Sequence, residues 1–140
     1  MKKVNISSIM YYGRIYGNDE QNYYFSVLDY KVYDKSELIC NFGFTNNMLS
    51  DSESLRNEYN YIALFQVDII KLMVKFLLSI NNRYIFNEIK GLEPEMIYIF
   101  FQKYIEINTY SHHRWIEYEN ISLTKAAIKW CEDNGIPYVI

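Results

Sequence analysis

The longest hydrophobic stretch of the chain runs from Ser50 to Ile80 and predicts a single long, largely buried helix. Ser50 and Glu53 have the spacing of a capping box, in which each side chain satisfies a backbone N–H group near the other residue. Between residues 62 and 80 the only charged residues fall on one stripe of a helix: Asp68, Lys71 and Lys75. The rest of this predicted helix is apolar, so it needs packing partners on several sides.

The first third of the chain predicts β-structure. Residues 4–16 and 23–33 are rich in Ile, Val, Tyr and Phe, which favour strands. Residues 37–44 alternate in the way of a half-buried strand. Turn-forming residues separate the three segments, at 17–20 and 34–36. Short connections favour antiparallel pairing, so we expect an antiparallel meander with one face packed on the long helix.

Two further helices are predicted after the long one. Pro94 begins the first, which extends to about Ile105, and Ser122 caps the second, which ends at Gly135. Three other segments are less regular: residues 84–89 fit a strand or a helix, 114–119 a short strand within a polar and aromatic stretch (107–121), and 137–140 a tail or an edge strand.

Taken together, these elements predict the fold class α+β. We expect an N-terminal antiparallel β-meander packed on a long central helix, with two further helices, in a single domain over residues 1–140.

The net charge of −3 is concentrated at one end of the chain. Residues 91–140 contain seven acidic and four basic residues, whereas the preceding residues are balanced. An acidic surface repels nucleic acid and attracts basic proteins, so we expect a basic protein partner and no direct nucleic-acid contact. The stretch 62–80 nearly reaches membrane-spanning length, but each of its three charges would cost about 2.5–3.5 kcal/mol near a bilayer centre. We therefore expect no membrane partner.

The cysteines and the start of the chain indicate a cytoplasmic location. Cys40 and Cys131 lack the spacing of a metal or redox motif, which favours two reduced thiols. Polar residues follow Met1-Lys2-Lys3 too soon for the apolar region of a signal peptide.

No catalytic or cofactor motif is found in the sequence. His112 and His113 are the two histidines, and adjacent residues of a strand point to opposite sides, which makes them a poor metal site. The five glycines form no phosphate-binding cluster. The sequence therefore predicts a non-enzyme with no catalytic residues, no cofactor and no metal.

Two groups of acidic and aromatic residues are candidate contacts for a basic partner. Glu93 and Glu95 flank Pro94 at the start of a predicted helix, where carboxylates also complement the helix dipole. In the predicted strand 114–119, Trp115, Glu117 and Glu119 share one face, with Tyr118 beside them, and an aromatic ring with acids suits Lys or Arg of a partner.

In overall character the chain resembles the small bacterial immunity proteins of contact-dependent growth inhibition and related competition systems. The shared features are small size, mild acidity, α+β composition, the lack of a motif, and many residues with AT-rich codons. The resemblance implies a tight cytoplasmic complex with a cognate toxin domain, often a nuclease, whose active site is blocked. The acidic residues of 91–140 would then contact a cationic cleft.

Two alternatives belong to other classes of protein. A viral Bcl-2-like host-interaction protein also surrounds a hydrophobic central helix, although the β-rich first third departs from that all-helical pattern. A small ligand-binding domain or enzyme would use His112 or His113.

Overall fold

Helices and short strands alternate along the computed structural model, which describes residues 2–140. In chain order the elements are β1 (Val4–Asn5), α1 (Ile6–Ile9), a 3-10 turn (Met10–Gly13), β2 (Arg14–Ile15), β3 (Tyr23–Ser26), β4 (Val32–Asp34), α2 (Lys35–Phe42), α3 (Asn46–Ser50), α4 (Ser52–Tyr59), β5 (Tyr61–Ala63), β6 (Val67–Asp68), α5 (Ile69–Ser79), α6 (Arg83–Ile89), α7 (Pro94–Ile107), α8 (Thr109–Asn134) and β7 (Tyr138–Val139). The chain is of mixed α+β character, as predicted, with helices predominating.

The chain forms two compact units, each assembled from segments that are distant in sequence. The first unit comprises the chain up to Gly13, Glu20–Gln66 and Ala126–Ile140. The second comprises Arg14–Asp19 and Val67–Lys125. Helix α8 therefore contributes its residues up to Lys125 to the second unit and the remainder to the first.

The largest sheet, in the first unit, has three antiparallel strands in the order β4-β3-β5. Residues 23–33, predicted as one strand, are divided into β3 and β4, which pair as a hairpin, and β4 extends to Asp34. The third strand comes from residues 61–63, with Phe25 opposite Ile62, so the sheet is not the meander of three consecutive strands. A separate parallel pair joins β1 to β7, with Val4 opposite Tyr138.

The strand prediction for residues 37–44 is wrong, because a capping box begins helix α2 there. The Asp34 carboxylate accepts a hydrogen bond from the Glu37 backbone N–H (2.8 Å), and the Glu37 side chain accepts one from the Asp34 N–H (3.2 Å). Gly43, at φ +74°, ends the helix in the left-handed conformation. These two end signals outweigh the alternation between them, and only Leu38 of the helix is buried.

The prediction of a strand over residues 4–16 is also wrong for most of the segment. The Asn5 side chain accepts a hydrogen bond from the Ser7 backbone N–H (3.0 Å) and starts the short helix α1, which the 3-10 turn follows. Only the two ends of the segment, β1 and β2, pair as strands. A capping side chain has again decided the local structure over β-propensity.

The single helix predicted over Ser50–Ile80 is divided into several elements. Ser50 is the last residue of α3 and does not cap a helix. The Asp51 carboxylate caps α4 by accepting a hydrogen bond from the Ser54 backbone N–H (3.2 Å). Asn60, at φ +62°, ends α4, and β5 follows because it pairs with β3. The apolar second half becomes α5, whose N-cap is Asp68.

One helix, α8, replaces the predicted polar stretch 107–121, the strand 114–119 and the helix capped by Ser122. Asn108 caps its start by accepting a hydrogen bond from the Ser111 N–H (3.0 Å), and Ser122 lies in the helix interior. Ser111, Trp115, Leu123 and Ala127 are buried, at intervals of four or eight residues. That spacing is one stripe of a helix, and the burial of Trp115 favours it over a strand.

Several other expectations are confirmed. Pro94 occupies the first turn of α7, Gly135 follows the end of α8 at φ +67°, and residues 138–139 form an edge strand. Residues 84–89, compatible with either element in the sequence, belong to helix α6.

The core of the second unit contains three aromatic rings from three helices. Phe76 of α5, Phe101 of α7 and Trp115 of α8 lie with ring centroids 4.9 to 6.1 Å apart, all in edge-to-face contact. Phe76 and Phe101 are essentially inaccessible to solvent, and Trp115 is 7% exposed. Pairs of this geometry add stabilisation to that of their buried area.

Truncation of this aromatic core is expected to destabilise the protein strongly. Trp115→Ala should lower the free energy of unfolding by about 3–5 kcal/mol, because it removes a large buried ring. The measurement is equilibrium urea unfolding followed by circular dichroism. Ile116→Ala, at a neighbouring exposed position of α8, is the control and should change the free energy of unfolding by about 1 kcal/mol or less. Equal effects of the two substitutions would contradict the buried position of Trp115.

The two cysteines are expected to differ in reactivity. Cys40 is exposed, whereas burial, together with the charge of Glu132, raises the pKa of Cys131 to about 11. At about pH 8 the folded protein should therefore be alkylated at Cys40 alone, since the thiolate is the reactive form. Mass spectrometry after a timed iodoacetamide pulse checks this, with a urea-unfolded sample as the control in which both react. Rapid alkylation of Cys131 in the folded protein would contradict it.

Candidate functional site

The two histidines of the predicted ligand-binding or enzyme alternative lie side by side on one helix. His112 and His113 are both exposed on α8, with ring centroids 6.1 Å apart. Within residues 2–140, no three His, Cys, Asp or Glu side chains are placed to hold one metal ion. In the same described part of the chain, no helix combines the length and apolarity that crossing a membrane requires.

The structure separates the residues that the predicted strand 114–119 grouped on one face. In helix α8, Glu117 points away from Trp115 and Glu119, because residues two apart lie on opposite sides of a helix. Trp115 is buried in the aromatic core, so its ring is not offered to a partner. Glu117 is exposed, and Glu119 is partly buried.

Tyr118 is partly buried against the same aromatic core. Its ring lies 5.4 Å from that of Phe76 and 6.4 Å from that of Trp115. Tyr118 and Glu117 line a shallow cleft of about 170 Å³ that also includes Arg114. The Arg114 cation offsets the charge of Glu117 there, so this cleft has little net preference for a basic group.

Glu93 and Glu95 lie at the start of α7. Glu93 is the N-cap residue but makes no side-chain capping bond, and Glu95 lies in the first turn. Both carboxylates are exposed. Glu95, one of the six predicted contact residues, lines a larger groove.

This groove, which we call the tyrosine groove, has a volume of about 520 Å³ and lies wholly within the second unit. Its lining combines two aromatic rings, two carboxylates and three apolar side chains: Tyr16, Tyr98, Asp19, Glu95, Ile70, Pro94 and Ile99. Aromatic rings with convergent polar groups are typical of recognition sites.

A tightly constrained turn forms one side of the tyrosine groove. Strands β2 and β6 pair in parallel, with Ile15 opposite Asp68. The Asp68 carboxylate accepts a hydrogen bond from the Gly17 N–H (3.2 Å) as well as from the start of α5. Gly17 has φ +67°, and a Cβ there would lie 3.1 Å from Cβ of Pro94. Glycine at this position therefore allows both the turn and its close approach to α7.

The aromatic side of the groove is an edge-to-face pair. The rings of Tyr16 and Tyr98 have centroids 5.8 Å apart and planes at 85°. The Arg14 guanidinium donates a hydrogen bond to the Tyr16 hydroxyl (2.9 Å), which fixes the tip of that ring. Both rings keep more than a third of their surface exposed.

The acidic side of the groove consists of the carboxylates of Asp19 and Glu95. Asp19 accepts a hydrogen bond from the Tyr16 backbone N–H (3.0 Å). No ion pair joins Asp19 or Glu95 to a cation within residues 2–140, where the ion pairs are Lys35–Glu20 and Lys129–Asp133. Both carboxylates are exposed and available to an external cation.

Beside the groove, helix α7 presents large apolar side chains to solvent. Met96, Ile99, Phe100 and Ile107 are between 42% and 87% exposed and recur at the spacing of one helix face, interrupted by Lys103. We call these four residues the exposed face of α7. The opposite face of the helix is buried through Ile97, Phe101 and Ile105.

Sequence reasoning missed most of these residues. Tyr16 and Asp19 were assigned to a strand and a turn, and nothing local indicates that they meet α7. Met96, Phe100, Ile97 and Phe101 all fit the helical spacing that predicts α7, and that spacing alone does not separate its buried residues from its exposed ones. The sequence does contain one signal for the exposed face. Apolar residues lie on all sides of α7, whereas a helix that packs through one face needs them on that face only.

The chain was compared with models of known protein families, with characterised proteins and with solved structures, and no match was found in any of the three.

Glu119 is expected to make stability depend on pH. Burial raises the pKa of this carboxyl group above its ordinary value, while the nearby Arg14 opposes the shift. A raised pKa means that ionised Glu119 destabilises the folded state once pH exceeds its ordinary value. Glu119→Gln should therefore be more stable than the wild type at pH 7, and the difference should vanish near pH 3.5.

The measurement for Glu119 is urea unfolding at both pH values. Glu117→Gln, at an exposed position of the same helix, is the control and should change stability little at either pH. A Glu119→Gln protein that loses stability at pH 7 would show that the charge of Glu119 stabilises the fold.

Proposed function

We propose that this chain is an immunity-type inhibitor, which binds a cognate toxin domain in the cytoplasm and blocks its active site. The observation that carries the proposal is the exposed face of α7. Large apolar side chains clustered on an exposed helix face are typical of sites of protein–protein contact. The inhibitor role itself rests on the resemblance described above and on the acidity of this part of the chain.

Helix α7 is a suitable element for presenting a binding surface. Its buried residues Ile97 and Phe101 anchor it, while the neighbouring Met96 and Phe100 point outward. Side chains held on an anchored helix lose less conformational entropy on binding than side chains on a mobile loop. The apolar centre that such a surface provides is the part of an interface that contributes most binding energy.

The charge around this helix favours a basic partner. Glu93, Glu95 and Glu106 are exposed on or beside α7, against the single cation Lys103. The active site of a nuclease is basic because it binds phosphates, so an acidic protein can occupy the same cleft. Complementary charge also accelerates association, which benefits an inhibitor that must act before its target does.

The proposal is tested by isolating the complex and reconstituting it. The tagged chain is purified from its native cells, its stoichiometric companion is identified by mass spectrometry, and both proteins are purified separately. We expect a one-to-one complex that weakens with added salt and abolishes the nuclease activity of the partner. A partner that remains fully active in a saturated complex would contradict the inhibitor role.

Variants of α7 then locate the interface. Met96→Ala with Phe100→Ala should weaken the complex by about ten- to a hundredfold, since removal of central apolar contacts costs about 1.4–2.8 kcal/mol. Leu28→Ala, which truncates a 68% exposed side chain of the first unit, is the control and should leave affinity unchanged. Equal affinity of all three proteins would remove the exposed face of α7 from the interface.

A further inference from the structure

Resting on the proposed function, we infer that the tyrosine groove takes one arginine side chain of the protein partner. The groove adjoins the exposed face of α7 through Tyr98 and Ile99, which belong to the same helix. An arginine inserted there would fix the register of the interface. This assigns the groove a specificity role beyond the general attraction between acidic and basic surfaces.

The two tyrosine rings provide flat surfaces for a planar cation. Because the rings of Tyr16 and Tyr98 are perpendicular, they form a corner and not a closed stack. A guanidinium group packs favourably against an aromatic face, through both its charge and its planar shape. The Arg14 contact is to the hydroxyl of Tyr16 and leaves the ring faces uncovered by that bond.

The carboxylates of the groove supply the hydrogen-bond acceptors that a guanidinium needs. A carboxylate has about four acceptor positions, and the Tyr16 N–H uses one on Asp19. Glu95 makes no ion pair within residues 2–140. Paired N–H donors of arginine match the two oxygens of a carboxylate, which gives stronger and more directional bonds than a single ammonium does.

The remaining groups of the groove are consistent with a cation. Ile70, Pro94 and Ile99 form apolar walls that can cover the methylene stem of arginine. The start of α7 would favour an anion, but Glu93 and Glu95 already supply negative charge there. Arg14 is the nearby cation, and its charge is opposed by Glu119.

The test is an NMR titration of the whole, isotope-labelled protein. The ligands are blocked amino acids that carry no terminal charges. N-acetyl-arginine amide should shift the NMR signals of Tyr16, Gly17 and Tyr98, with saturation in the millimolar range. N-acetyl-citrulline amide has nearly the same shape without the charge and should bind at least about tenfold more weakly. N-acetyl-lysine amide tests whether the guanidinium plane matters and should also bind more weakly than the arginine compound.

Substitutions in the groove complete the test. Glu95→Gln alone and with Asp19→Asn should each weaken arginine-amide binding, the double variant by at least about tenfold. Asn at position 19 keeps an acceptor for the Tyr16 N–H, so the turn is retained. Glu106→Gln removes the same charge from α7 outside the groove and should bind like the wild type. Unchanged spectra of folded variants without ligand exclude a loss of structure.

The outcomes separate this inference from the proposed function, because the titration does not involve the partner. Equal binding of the arginine and citrulline compounds, or of the arginine and lysine compounds, would overturn the arginine assignment. Arginine-amide binding that is retained by the double variant, Glu95→Gln with Asp19→Asn, would also overturn the arginine assignment. A chain that inhibits its partner but fails to bind arginine amide would overturn the groove assignment alone. If the chain binds arginine amide but has no protein partner, the proposed function is wrong. The inference that the arginine belongs to a protein partner is then wrong as well.

Discussion

The second unit depends on the contact between the rings of Phe76, Phe101 and Trp115, because each ring comes from a different helix. Burial of these rings fixes the rotation of α7 about its axis. Adjacent residues lie about 100° apart around a helix, so with Phe101 in the core the preceding residue, Phe100, lies to one side of it and is 42% exposed. The core thus determines which face of α7 is exposed, while the apolar character of that face is not required by the fold.

Two independent constraints form the tyrosine groove beside helix α7. The first is the core, which positions Tyr98; the second is the carboxylate of Asp68, which holds both the Gly17 turn and the start of α5. The residue Asp68 thereby joins the pairing of β2 with β6, the start of α5 and the turn at the tyrosine groove. Exposed apolar side chains and the Glu95 carboxylate therefore lie on the same helix, α7, and the proposed interface uses both.

The elements that could be predicted from the sequence are those with local signals. Helix α7 has Pro94 at its start and regular apolar spacing, and Gly135 marks the end of α8. Strand β5 could not be predicted, because its stability comes from pairing with β3 more than thirty residues earlier. The same holds for the candidate site: Glu95 was identified from its charge, whereas Tyr16 reaches α7 only through the pairing of β2 with β6.

The parallel pairing of β1 with β7 has a consequence for the order in which the chain assembles. Val4 leaves the ribosome well before its partner Tyr138, which follows 134 residues later. Trp130, which packs against Phe25, is also synthesised late. Closing such a long loop is entropically costly and slow. All segments of the second unit leave the ribosome before Ala126–Ile140, the last segment of the first unit, so the first unit completes its core later and exposes apolar surface until then.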